Sequence, residues 1–132
     1  MDPNALVSEQ TDAGAELLQK LRPRLRVEAA FWLNPAEDGL WTLYIATPEI
    51  DKGHFDLAYG EAMRTARSMN SPYVDPFGIR LIGTDSPLAR DAIAVTRKYP
   101  GEMATRLRSR IFGDTFVEEV YVYPSPVPAA VN

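Results

Sequence analysis

The chain is expected to form a single α/β domain with an α+β tendency, its elements running α-β-β-α-β-α-β-β around a mixed sheet of about five strands packed by two or three helices. Three observations lead there. Residues 24–47 hold two runs rich in aromatic, aliphatic and β-branched residues around the turn formers Asn-Pro-Ala-Glu-Asp-Gly, the pattern of a β-hairpin with a longer loop. Later segments repeat apolar residues at helical spacing. The length of 132 residues, with 45% hydrophobic and 24% charged side chains, suits one globular domain that buries roughly two-thirds of its unfolded surface.

In chain order, residues 1–10 carry little periodic signal and read as a loose leader. A helix is expected from Thr11, capped by Thr11 or Asp12, with Leu17, Leu18 and Leu21 as its apolar stripe and Pro23 as its stop. In the hairpin's first strand, alternation puts Leu25, Val27, Ala29 and Phe31 on one face and Arg24, Arg26, Glu28, Ala30 and Trp32 on the other. Its second strand carries Trp41, Leu43 and Ile45 in a nearly all-apolar run, which implies cover on both faces, and Thr47-Pro48 closes it.

A short acidic connection, 49–53, leads to a helix over residues 54–69. Phe55, Tyr59, Ala62, Ala66 and Met69 recur at spacings of three and four, and Glu61 can pair with Arg64. Gly60 inside this helix suggests close packing on the sheet. Residues 77–82 read as a third strand, apolar on both faces except at Arg80 and, being entered and left through helices, as the natural centre of the sheet. Ser86 followed by Pro87 is the clearest helix start in the chain; Leu88, Ala92, Val95 and Tyr99 form the buried stripe, Arg97 and Lys98 suit the helix dipole, and Pro100-Gly101 is the stop. A second hairpin follows, 105–112 and 116–123 around Gly113-Asp114, and then an extended proline-rich tail, 124–132. No repeat or linker divides the chain.

Composition narrows the function classes. Without cysteine there is no disulfide, thiolate metal site or cysteine nucleophile, which suits a reducing, cytoplasmic setting. No apolar run reaches the ~20 residues of a membrane helix, and the acidic N-terminus is unlike a signal peptide, so no membrane partner is expected. Arginine outnumbers lysine eleven to three, a bias of GC-rich, prokaryotic coding, and the net charge of −4 argues mildly against general nucleic-acid binding.

Four places could carry chemistry. The only histidine, His54, lies with Asp51 and Asp56 where an acid/base pair or a divalent cation could be served; the plainer expectation is that Asp51 caps the following helix and His54 is exposed. The loop 83–86 leaves a strand and opens a helix, a place that gathers backbone N–H groups for anions, but Asp85 would compete for those donors. Asp85 also completes a candidate Asp/His catalytic set with Asp51, His54 and Asp56. Arginines stand at alternate positions twice, Arg22, Arg24 and Arg26, then Arg106, Arg108 and Arg110; as strand residues each triplet would present a row of guanidinium groups ~6.6–7 Å apart, able to track phosphates or an acidic partner, or to serve only as a solvated edge. Finally Val120, Tyr121, Tyr123 and Pro124 could form a partner interface or simply complete the core.

No nucleotide loop, nucleophile elbow or zinc-protease motif occurs, so neither cofactor nor metal is expected. The leading expectation is a non-enzymatic interaction domain that binds a protein partner or self-associates. The alternatives are a nucleic-acid-binding accessory protein using the arginine rows and a small hydrolase or lyase using the Asp/His set.

Overall fold

Two strands rich in apolar residues form the spine of the structure, a computed structural model that describes residues 5–34 and 41–125. β1 (Ala29–Asn34) and β2 (Thr42–Ala46) pair antiparallel, with Ala29 opposite Ala46 and Trp32 opposite Leu43. The turn expected between them lies outside the described residues, as does most of the proline-rich tail. Around the hairpin stand the helices α1 (Ser8–Leu21), α2 (Pro48–Asp51), α3 (Phe55–Met69) and α4 (Pro87–Lys98) and the strands β3 (Ile79–Ile82), β4 (Thr105–Phe112) and β5 (Thr115–Val122). The five strands form one mixed sheet in the order β3-β2-β1-β5-β4; β2–β3 is parallel and the other pairings are antiparallel.

Both sheet faces are covered, so β1 is buried on both sides. On one face α1 and α3 set Leu17, Leu18, Leu21, Ala62 and Ala66 against Trp32 and Ile45. On the other, α4 sets Ala89 and Ala92 against Phe31, Phe112 and Val120. Phe31 has no exposed surface, stacks on Tyr44 at 5.2 Å and meets Phe112 edge-on at 5.5 Å. The result is a helix–sheet–helix domain whose two core clusters lie on opposite faces of the sheet.

Several local expectations are corrected. α1 starts at Ser8, inside the stretch read as a leader, because the Gln10 side chain accepts a hydrogen bond from the Val7 N–H and serves the helix start in place of Thr11 or Asp12. Leu6, also in that stretch, is buried in the core. Residues 22–28 are not strand. Leu25 and Val27 therefore pack under α1 and α3, whereas Ala29 and Phe31 point to α4, and the single alternating face does not exist.

The acidic connection contains α2, whose start Thr47-Pro48 has the same cap-and-proline form as Ser86-Pro87: Thr47 accepts from the Glu49 N–H, Ser86 from Ala89 N–H. On α3 the buried stripe is Ala58, Ala62, Thr65 and Ala66, one turn removed from Phe55, which is exposed. Tyr99 of α4's expected stripe is likewise exposed.

β3 is an edge strand and not the centre; that place belongs to β1. The helices after β2 carry the chain only one strand outward, and α4 then returns it past β1 to the far side.

Candidate functional site

Of the expected Asp/His set, the structure brings together only Asp51 and the loop after β3. Asp51 ends α2, and its carboxylate accepts from the Thr84 amide at 2.8 Å, the Thr84 hydroxyl at 2.6 Å and the Asp85 amide at 3.4 Å. A side chain at Gly83 would collide with this carboxylate. The Thr84 hydroxyl, then its amide, hold the Asp51 carboxyl below the ordinary aspartate range. The backbone donors that an anion would need at this loop are thus taken by the chain's own carboxylate. Asp51 is the competitor, where the sequence pointed to Asp85, and Asp51 does not cap α3.

His54 holds the N-cap position of α3 and pairs through Nδ1 with Glu49 Oε1 at 2.8 Å; this hydrogen bond is the main reason the Glu49 carboxyl lies below its usual range. Asp56 is exposed in the first turn of α3. Among the described residues, no group of three His, Asp or Glu side chains is placed as metal ligands.

The arginines do not form two rows. Arg22, Arg24 and Arg26 lie on the irregular stretch between α1 and β1. Burial lowers the pKa of Arg22, whose Nε finds no acceptor among the described residues. Arg24 lines a groove of about 610 Å³ with Glu61 and Arg64, which form the expected ion pair at 3.1 Å, and Arg26 pairs with Glu28.

The second triplet is divided by its own backbone. Ser109 sits at φ 49°, a left-handed conformation that turns the following residues over. The ladder keeps its register across the break, Arg108 opposite Glu119 and Arg110 opposite Val117. The buried residues, however, change parity, from Leu107 and Val120 before the break to Phe112 and Val117 after it. Arg106 and Arg108 therefore share the face of Tyr121, while Arg110 lies on the α4 side in a groove of about 260 Å³ with Asp91 and Lys98. Arg106 bonds Glu119 at 2.8 Å and lies over the Tyr121 ring at 5.2 Å; Arg108 reaches the same carboxylate only at 4.0 Å.

Of the residues named for a partner interface, Val120 and Tyr123 are buried, while Tyr121 and Pro124 are partly exposed. β5 lies between β1 and β4, and Val120 has no exposed surface. The Tyr123 hydroxyl accepts from Trp32 Nε1 at 2.8 Å and donates to the Thr11 carbonyl at 2.7 Å, which ties β5, β1 and α1 together. Tyr121 packs against the core, and Pro124 follows at partial exposure.

What the sequence reading missed is the far end of the same hairpin. Ile111 and Phe116 stand directly opposite each other, 64% and 50% exposed. The period-two pattern holds that signal, since an apolar Ile111 next to an apolar Phe112 cannot have both side chains on one face. No family model, curated protein or solved structure matches the chain. The site therefore rests on geometry alone. Among the described residues, no helix is long and apolar enough to cross a membrane.

Proposed function

We propose that the chain is a non-enzymatic protein-interaction domain, acting in a reducing, cytoplasmic and prokaryotic setting, that docks a partner protein on the β4–β5 ribbon. The observation that supports this reading is the solvent-facing pair Ile111 and Phe116. Water contact on two large apolar side chains side by side is unfavourable by roughly 25 cal/mol per Å², and a covering partner regains that energy. Arg106 and Arg108, further along the ribbon, supply a charged rim around this apolar spot.

The test is a peptide display library selected against the folded chain, followed by binding to Phe116→Glu and Ile111→Glu. Both side chains are exposed, so the variants should keep the wild-type unfolding temperature. Selected ligands should lose at least about tenfold in affinity on each, a difference of about 1.4 kcal/mol. Ligands that bind both variants as well as wild type, or the absence of any enriched ligand, would contradict the assignment. Concentration-dependent dimerisation abolished by Phe116→Glu would replace the foreign partner with a second copy.

A further inference from the structure

The sheet has two edges, and they are finished differently. At β3 the outward-facing backbone of Leu81 is already occupied: its N–H donates to the Tyr59 hydroxyl at 3.1 Å, and the same hydroxyl donates to its carbonyl at 3.4 Å. Tyr59 comes from α3, so that edge is closed by a side chain of the helix beside it. β3 is also only four residues long. β4 has eight residues and, among the described residues, pairs with β5 on one side only. Half of its backbone hydrogen-bonding groups face away from the sheet, as they must in any edge strand.

We propose that β4 accepts an acidic, extended segment of a partner protein as a sixth strand along Thr105–Arg108, the regular stretch before the break at Ser109. This rests on the interaction reading above and names the partner's chemistry. The choice of occupant follows from charge. A sixth strand places its side chains directly opposite those of β4, with Cβ atoms ~4.5–5.5 Å apart. There it meets Arg106 and Arg108, which among the described residues share Glu119 as their one ion-pair partner, and that carboxylate sits on β5, one strand further in. Beyond the break, Arg110 forms no ion pair among the described residues. Glu118 lies on β5, and Asp91 lies on α4, where it accepts from the Gly113 amide at 2.7 Å.

A second copy of β4 is the wrong occupant, because it would bring two arginine-rich strands together. The arginines therefore repel self-pairing and admit a strand of opposite charge. Leu107, between the two cations, points to the α4-side core and is half-buried, so the matching segment alternates acidic, apolar, acidic.

The experiment uses the full chain labelled with ¹⁵N and the blocked peptide Thr-Glu-Val-Glu-Val-Glu-Thr, with the same peptide carrying Lys for Glu as control. The expected result is that the glutamate peptide shifts amides of Thr105 to Arg108 and slows their hydrogen exchange, that the lysine peptide does neither, and that binding weakens with added salt. Arg108→Glu should weaken the glutamate peptide at least about tenfold. Equal response to both peptides, shifts confined to other elements, or no shift at millimolar peptide would overturn strand addition. If the acidic peptide fails while display-selected ligands still depend on Phe116, only the strand proposal falls; if neither binds, the interaction reading falls with it.

Discussion

Gly14 and Gly60 both sit inside helices, where glycine costs ~0.5–1 kcal/mol against alanine. Their surroundings differ. A Cβ at Gly14 would run into the Tyr123 hydroxyl that joins Trp32 to Thr11, so α1 can lie against that hydroxyl only without a side chain there. A Cβ at Gly60 would meet only the flexible Arg64 guanidinium at 3.6 Å, an ordinary contact. Close packing on the sheet, the expected reason for Gly60, thus applies to Gly14. Gly60→Ala should raise stability by about 0.5–1 kcal/mol, whereas Gly14→Ala should lower it by more than about 1 kcal/mol, since it leaves the buried Trp32 N–H without its acceptor. Urea unfolding of the two variants checks both signs. In sequence the two glycines look alike; the distinction lies in a contact with a residue 109 positions away.

Among the elements, α2 depends on a single carboxylate for its attachment to the β3–α4 loop. The Asp51 pKa is depressed in the folded chain, so folding favours its ionised form. The stabilisation is present above the unfolded aspartate value of about 4 and is lost as pH falls through the lower native value. Stability should therefore fall in that acid window for wild type and fall less for Asp51→Ala, with the two curves converging at lower pH. A pH series of thermal unfolding on both proteins measures this; parallel curves would mean the clamp is not formed.

The elements themselves were largely legible. Ser86-Pro87 marked α4 because a cap and a proline act locally, and the hairpin followed from composition and turn residues. Thr47-Pro48 carries the same mark yet reads as the end of a strand, because Thr47 follows an apolar run and serves both purposes. The break at Ser109 has no local signal, since serine is not a residue that favours positive φ, and it accompanies the change of buried face from Leu107 to Phe112.

For the whole molecule, strand order is the feature that local patterns do not contain. An apolar four-residue strand between two helices has the composition of a central strand, and β3 takes an edge instead, with Tyr59 and α3 beside it. The arginine triplets illustrate the same gap. Their spacing is a local fact, but the row exists only if the backbone stays extended, which it does at neither site. What the assembled sheet adds is an asymmetry between a closed edge and an open one, and the proposed addition of a sixth strand depends on it. Residue-resolved amide hydrogen exchange on the free chain, with Tyr59→Phe alongside, reports on that asymmetry most directly. Leu81 should exchange with the slow core amides and become fast in Tyr59→Phe, while alternate amides of Thr105 to Arg108 exchange fast in both proteins. Equal protection along the two edges, or a Leu81 amide indifferent to the loss of the hydroxyl, would contradict it.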